Sequence, residues 1–295
     1  MIRRLAIGLI LLVSSLIQNL GTAQKSSRES NGEQTIWYVS DGLRVKARAF
    51  WPAGTGPFPG IVFGHGGVDG LSDPSIRRCR ELAKAGFAVF APSYRGEDGS
   101  QGTIEVAKGE VNDVLNGLEA FKQDGRLDPS RIAMMGTSHG ALIGLLAVSR
   151  SDQFRALVFA YGVSDIFAWW DYLVATNQVG TDALTKRIYG TGPISRLESF
   201  KIRNGMGVLE KVSVPVLILQ GELDTTVPSS QAQALYDGLI EQGKWAQLEL
   251  YPNSEHGFLM VRETLEKKFG TKSVQVQESK LALEHSIAFL RDALK

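Results

Sequence analysis

Residues 131–147 have the sequence RIAMMGTSHGALIGLLA. An apolar run leads into Gly136-x-Ser138-x-Gly140, and a small-residue helical pattern leads out of it. This arrangement is typical of a nucleophile elbow, a strand-to-helix turn so tight that the residues flanking the nucleophile must be small. The pentapeptide alone is weak evidence, but its place between a buried strand and a helix strengthens it. Ser138 is therefore the predicted nucleophile, provided that the chain also supplies a base and an acid.

The candidate base is His256. A serine nucleophile needs a neighbouring group that takes its proton, and that group needs a partner that orients it. The chain has four histidines. His139 lies inside the elbow and His285 lies in a C-terminal helical pattern, so neither is well placed. His256 follows the strand-like stretch 247–251 in a polar turn closed by a glycine, where a base is expected.

The candidate acid is Asp224, which lies in the loop after the buried strand predicted over 214–220. Glu222 competes with it but stands closer to the strand end. The chain order nucleophile, acid, base differs from the orders in chymotrypsin and subtilisin. Each of the three residues also has a structural alternative, as a helix start, a turn residue or a loop cap. Their order and their three strand-end positions together favour a catalytic triad.

An oxyanion hole is predicted from two loops. Acyl transfer places negative charge on the carbonyl oxygen, and preorganised N–H donors stabilise it. The residue after the nucleophile, His139, supplies one backbone N–H. A predicted strand over 60–63 runs into His65-Gly66-Gly67. The second donor is expected to be the N–H of Gly66 or Gly67, with the His65 side chain as a further candidate.

Cofactor and metal sites are not predicted. The glycines at 64, 66 and 67 match neither a phosphate-binding loop nor a dinucleotide fingerprint in spacing. His65 and His256 could form a metal pair, but no third ligand at motif spacing accompanies them, and Cys79 stands alone. The chain is therefore expected to work with neither a metal nor an organic cofactor.

Six segments of the chain resemble the α/β-hydrolase superfamily, in particular its prolyl oligopeptidase-like and dienelactone hydrolase-like branches; they lie at 65–67, 92–96, 128–132, 136–140, 215–228 and 251–258. The resemblance implies Ser138 as nucleophile, Asp224 as acid and His256 as base. Ala141 replaces the second glycine that usually follows the elbow in the peptidase branch. The peptidases carry an N-terminal β-propeller, for which there is no room before residue 36, and dienelactone hydrolases typically use a cysteine nucleophile.

The N-terminal residues resemble a secretory signal. Arg3 and Arg4 precede an apolar stretch that is shorter than the roughly 20 residues of a membrane span, and small residues follow it. We expect a signal peptide at 1–23, a disordered linker at 24–34, and one domain at 35–295 in the periplasm or outside the cell. An uncleaved N-terminal anchor is the alternative. The charge is close to neutral, so no nucleic-acid partner is expected. Stable membrane insertion is not expected once the signal peptide, with its short apolar stretch, has been cleaved.

The apolar runs alternate with helical patterns, which predicts an α/β fold with a mostly parallel central sheet and helices on both faces. The predicted strands lie at 43–51, 60–63, 88–91, 132–135, 156–161, 214–220 and 247–251. The stretch of about 164–210 is too long for a simple connection and is rich in aromatic residues. It is predicted to be a short lid insertion whose Trp169 and Trp170 line the substrate pocket or merely pack the insertion onto the body.

Two further residues are assigned to the substrate pocket. Tyr94 and Arg95 follow a strand end, and Arg95 could contact a substrate carboxylate. The alternative for Arg95 is a salt bridge to one of three nearby acids, which are Glu97, Asp98 and Glu110. Asp113 falls on a helical stretch and is predicted to be on its solvated face.

Together these features predict a serine hydrolase that forms an acyl-enzyme. Carboxylic esters are the expected substrate class, because the small chain lacks the filter of the peptidases. The alternatives are an exopeptidase or amidase of prolyl oligopeptidase type that acts on short peptides, and a non-catalytic binding module on a hydrolase fold. The sequence does not indicate the acyl chain, the leaving group or the oligomeric state.

Overall fold

The computed structural model describes residues 27–28 and 32–295. The predicted signal peptide at 1–23 and most of the predicted linker at 24–34 lie outside the described residues. At the end of that linker, Glu33 and Gln34 already pair with a neighbouring strand.

A single sheet of nine strands organises the part of the chain that the structure describes, in the order β1-β2-β3-β5-β4-β6-β7-β8-β9. The strands from β4 onward run parallel, while β1, β2 and β3 add antiparallel pairings at one side. Their bounds are β1 Ser27–Arg28, β2 Glu33–Ser40, β3 Leu43–Phe50, β4 Phe58–Gly64, β5 Ala88–Pro92, β6 Leu127–Thr137, β7 Phe154–Ala160, β8 Val216–Gly221 and β9 Ala246–Tyr251.

The mostly parallel sheet predicted from the apolar runs is confirmed, and each predicted strand corresponds to an observed one. Strand β2 was not predicted; half of its residues are only partly buried, and within its short apolar run at 36–39 only Tyr38 is buried. By contrast, all residues of β5 and β8 are buried, which is the pattern expected of strands covered on both faces.

Helices cover both faces of the sheet. On one face, α2, α3 and α7 bury apolar residues against the strands, and on the other face α1 and α9 do so. Alternate residues of β4 enter the two cores, because successive side chains of a strand point in opposite directions. The helices are α1 Asp73–Lys84, α2 Gly109–Phe121, α3 His139–Val148, α4 Ile166–Ala175, α5 Ala183–Tyr189, α6 Leu197–Lys201, α7 Ser229–Glu241, α8 Arg262–Phe269 and α9 Val274–Ala293, with a 3-10 helix at Gly205–Lys211.

The predicted insertion consists of α4, α5, α6 and the 3-10 helix, which lie between β7 and β8. It has a small apolar cluster of its own, which includes Trp170, Tyr189 and Phe200. Within residues 32–295, no helix combines the length and the hydropathy that a bilayer crossing needs.

Arg95 is a structural residue, which corrects its assignment to the substrate pocket. Its side chain is buried and donates to both carboxylate oxygens of Asp113, at 2.8 and 3.1 Å, and to Asp41 at 2.8 Å. The partners are therefore not the nearby acids that the sequence suggested. Asp113 is fully buried rather than solvated, because it faces the end of β5 from α2 and also accepts the backbone N–H of Arg95.

We expect Asp113→Asn to destabilise the fold by about 3 kcal/mol, because it leaves the buried guanidinium of Arg95 with one neutral partner in place of a carboxylate. Urea unfolding measures this loss. Glu119→Gln is the matched control on the same helix, since Glu119 is exposed and its ion pair with Lys122 lies at the surface; its effect should stay within about 0.5 kcal/mol. A similar decrease in the free energy of unfolding in the two variants would contradict the structural role of the buried pair of Arg95 and Asp113.

Candidate active site

Ser138 occupies a strained turn between β6 and α3. Its φ of 52° and ψ of −121° are unusual for a residue with a side chain. The turn is possible because its neighbours are glycines. A Cβ at Gly136 would overlap the carbonyl oxygen of Gly140, and a Cβ at Gly140 would overlap the backbone of Gly64. The backbone therefore lifts the Ser138 hydroxyl above the end of the sheet.

The three predicted triad residues come together from three separate strand ends. His256 Nε2 lies 2.9 Å from Ser138 Oγ, and His256 Nδ1 lies 2.7 Å from Asp224 Oδ2. The Asp224 side chain is fully buried, while that of His256 is 25% exposed. A substrate can thus reach the histidine, while the carboxylate behind it is shielded from water.

The loop after β8 fixes the orientation of Asp224. Its Oδ1 accepts the backbone N–H groups of Thr226, at 2.9 Å, and Val227, at 2.8 Å. Its Oδ2 accepts Gln220 Nε2 at 3.2 Å as well as His256 Nδ1. Glu222, the competing carboxylate in the sequence, is exposed instead. Gln220 was missed because an amide at the end of an apolar strand gives no sequence signal of its own.

The two segments predicted to supply oxyanion donors lie next to Ser138. The N–H of His139 has no intrahelical acceptor, because it is the first residue of α3. The N–H of Ser138 itself is occupied by the carbonyl of Ala160 at 2.9 Å. Gly66 approaches from the turn after β4, so closely that a Cβ there would lie 3.0 Å from Ser138 Cβ. The backbone of this turn is therefore adjacent to the nucleophile.

The side chains of His65 and Tyr94 do not belong to the substrate site, which corrects both assignments. His65 is fully buried, and its Nδ1 donates to the carbonyl of Gly66 at 3.0 Å. Its Nε2 lies 3.1 Å from Glu97 Oε2, so neither ring nitrogen faces the nucleophile. Tyr94 is also fully buried, with its ring stacked on His65 at 4.4 Å between centroids.

Glu97 is a buried acid that sequence analysis did not single out for the site. Burial raises the pKa of Glu97, and the interaction with His65 opposes that rise. Because His65 holds the carbonyl of Gly66, the buried pair supports the turn that approaches Ser138. Its role is to fix the backbone of the turn rather than to contact a substrate.

The side chain of His139 connects the elbow to the same turn. Its Nδ1 lies 2.9 Å from the carbonyl oxygen of Gly67, which requires a proton on Nδ1. Burial lowers the pKa of His139, so this histidine is held in its neutral form. The interaction leaves His139 unsuited to act as a base and ties the two predicted oxyanion segments together.

Trp169 and Trp170 have different surroundings. Trp170 is buried in the cluster of the insertion, with its ring centroid 5.8 Å from Tyr189 and 5.4 Å from Phe200. It packs the insertion, as the structural alternative proposed. Trp169 is half-buried and donates its Nε1–H to the carbonyl of Thr226 at 3.0 Å. Trp169 therefore contacts the loop that orients Asp224 and remains a predicted pocket residue.

The insertion is attached to this acid loop by two further donors. Tyr172 donates its hydroxyl to the carbonyl of Thr225 at 2.7 Å, and Gln178 donates to the same carbonyl at 3.2 Å. The loop 224–227 is thus held from inside by Gln220 and from outside by α4 and the residues that follow it. The position of the insertion and the orientation of Asp224 are coupled through this loop.

The architecture and the site define a serine hydrolase with the α/β-hydrolase fold. The model of the prolyl oligopeptidase family matches residues 75–271, which is more than half of the chain. The chain belongs to this family, so the predicted resemblance is confirmed.

Individual relatives agree with that assignment. An uncharacterised peptidase of Bacillus subtilis, YtmA, is 29% identical over 225 residues, which cover 76% of this chain and 86% of YtmA. An acylaminoacyl peptidase of Pyrococcus horikoshii superposes with a TM-score of 0.73 at 19% identity, over 99% of this chain and 45% of that protein. The chain therefore spans less than half the length of this longer relative.

A shorter structural neighbour has nearly the same extent as the domain. It is a Klebsiella pneumoniae protein provisionally assigned as a dienelactone hydrolase, with a TM-score of 0.62 and 18% identity. The match covers 88% of this chain and 98% of that protein. At these identities the solved structures establish the fold alone, and they confirm the predicted fold class.

We expect Tyr172→Phe to lower turnover by about threefold to fivefold, because it removes one hydrogen bond that holds the loop of Asp224. Steady-state kinetics on an activated ester measures this effect. Tyr38→Phe is the matched control, since Tyr38 also donates to a backbone carbonyl, that of Asp113 at 2.9 Å, but lies on β2. Equal turnover in Tyr172→Phe and the wild type would contradict the coupling between the insertion and the acid.

Proposed function

We propose that the protein is a serine peptidase of exopeptidase or amidase type that cleaves short peptides through an acyl-enzyme. The observation that carries this proposal is the hydrogen-bonded chain from Ser138 through His256 to Asp224, with distances of 2.9 and 2.7 Å. A nucleophile, a base and a buried orienting acid in this order are the parts that acyl transfer requires.

In the first half of the reaction, Ser138 Oγ attacks the carbonyl carbon while its proton moves to His256 Nε2. Asp224 accepts the Nδ1–H of His256, which keeps the imidazole in the tautomer that can take this proton. The two backbone N–H groups and the Gln220 amide keep Asp224 in place while the imidazolium forms. The fixed carboxylate stabilises that positive charge in a site largely shielded from water.

The tetrahedral intermediate carries its negative charge on the former carbonyl oxygen. The His139 N–H and a backbone N–H of the turn at Gly66 and Gly67 are the proposed donors to it, and one such donor contributes about 3 kcal/mol to transition-state stabilisation. His256 then returns its proton to the leaving nitrogen. A water molecule releases the acid by the same steps with the roles of attacking and leaving group exchanged.

The peptidase alternative has better support than the ester substrates expected from the sequence. The family assignment and the peptidase YtmA both point to amide bonds. The sequence similarity to the human acylamino-acid-releasing enzyme, 28% identity over 190 residues, supports acylated amino acids or short acylated peptides as substrates. Ester cleavage would follow from the same chemistry, because an ester has a better leaving group. The assembled triad is an argument against a purely binding role.

Trp169 is proposed to contact the residue whose carbonyl is attacked. Its half-buried indole is held against the acid loop by the bond to Thr226, so it presents a rigid apolar surface beside the triad. Aromatic side chains in fixed positions are efficient contacts for apolar ligand groups.

The test uses two substrates with the same acyl group, an N-acetylated peptide and the matching p-nitrophenyl ester. We expect the wild type to cleave both, with kcat/KM measured for each. His256→Gln should lower both rates by about 10⁴-fold or more, the loss typical of a missing triad member.

His285→Gln is the matched control. His285 also binds a carboxylate through Nδ1, that of Glu249 at 2.8 Å, but it lies on α9 and not in the proposed triad. It should retain wild-type rates. Cleavage of the ester without cleavage of any peptide would reject the peptidase proposal in favour of an esterase. Equal rates in His256→Gln and the wild type would reject the catalytic role of the triad.

A further inference from the structure

A small cavity lies against the catalytic histidine, between the loop of His256 and the helix α8. Its volume is about 90 Å³. Ligand pockets usually have volumes of about 300–1,000 Å³, so this cavity has room for one side chain rather than a whole ligand. Its lining includes Leu223, Glu255, His256, Phe258, Lys268 and Phe269.

The walls of the cavity are largely apolar. Phe258 is buried, whereas Leu223 and Phe269 are large apolar side chains that remain 52% and 46% exposed. Leu223 directly precedes the acid loop, whereas Phe269 is the last residue of α8. Exposed apolar side chains that converge on one concave site mark a binding surface for an apolar group.

Two charged side chains also line the cavity. Glu255 directly precedes His256 in the chain, whereas Lys268 lies in the last turn of α8. Both are exposed. The Lys268 ammonium lies 4.7 Å from the ring centroid of Phe269, close to the apolar wall. The negative charge of Glu255 next to His256 and the positive charge of Lys268 further along the wall are complementary to a ligand with an amine at one end and a carboxylate at the other.

The chemistry decides which part of a substrate would occupy this place. The nitrogen that leaves takes its proton from His256 Nε2, so the leaving part of the substrate must lie beside His256. For a peptide, that part becomes a free peptide with a new amino group and a terminal carboxylate. Its first residue adjoins the scissile bond and therefore lies next to His256, which lines the cavity.

We propose that the cavity is the binding site of the leaving peptide. It takes an apolar first side chain, and Lys268 binds the C-terminal carboxylate, so the enzyme prefers substrates that release a short peptide with a free C-terminus. This inference rests on the proposed function, because it assigns the leaving-group side of the same reaction.

Interception of the acyl-enzyme measures occupancy of this site. The p-nitrophenyl ester of N-acetylalanine acylates Ser138, and a free dipeptide is then added as acceptor. Its neutral amine attacks the acyl carbon, the bond to Ser138 Oγ breaks, and an amide bond forms. One proton passes from the amine through His256 to Ser138 Oγ. Mass spectrometry gives the ratio of acylated dipeptide to hydrolysed N-acetylalanine.

The acceptors are Leu-Ala with a free carboxylate, its C-terminal amide, and Gly-Ala. In the wild type we expect Leu-Ala to intercept better than Gly-Ala. The preference for the carboxylate form of Leu-Ala over its amide should be about threefold to fivefold larger in the wild type than in Lys268→Gln. This is the effect expected from the loss of one partly exposed charge pair. Lys268→Arg should keep the preference, and Lys268→Glu should reverse it.

Lys267→Gln is the matched control. Lys267 is the preceding residue of α8, is exposed, and does not line the cavity. It should behave as the wild type, both in hydrolysis of the ester without acceptor and in its preference among the acceptors. An unchanged carboxylate preference in Lys268→Gln overturns the inference while leaving the peptidase proposal standing. Absence of ester turnover in the wild type overturns both.

Discussion

Close backbone contact between the elbow and the turn after β4 is the constraint on which the site depends. A Cβ at Gly64 would lie 2.8 Å from the carbonyl oxygen of Gly140, and one at Gly66 would lie 3.0 Å from Ser138 Cβ. Only glycines permit the two segments to approach so closely. This approach places the proposed oxyanion donors beside the nucleophile. The His139 side chain holds the two segments together through its hydrogen bond to the carbonyl of Gly67. The strained conformation of Ser138 is maintained by the same contacts.

The triad was predictable because parallel strands end at the same edge of a sheet. Ser138, Asp224 and His256 each follow an apolar strand, so a parallel topology brings them together although they are far apart in sequence. The turn at 65–67 was predictable for the same reason, since β4 lies next to β6. The sequence carried this information in the strand ends and in the small residues of the elbow.

The residues that support the site were not predictable, because their partners lie on other elements. Asp113 has the spacing of a surface residue on a helix, yet it faces Arg95 at the end of β5. From the sequence, the imidazole of His65 could have faced the substrate. In the structure it faces the buried carboxylate of Glu97 instead, and the sequence does not reveal that contact. Trp169 and Trp170 are neighbours in sequence, but successive residues of a helix point about 100° apart, so one contacts the acid loop and the other packs the insertion.

The central claim is that Ser138 is an activated nucleophile, and intact-mass analysis after treatment with a fluorophosphonate tests it most directly. The wild type and Ser138→Ala are treated side by side, with folding checked by circular dichroism. The account predicts a single adduct in the wild type, mapped to Ser138, and none in the variant. A folded wild type without an adduct, or an adduct that persists in Ser138→Ala, would contradict it.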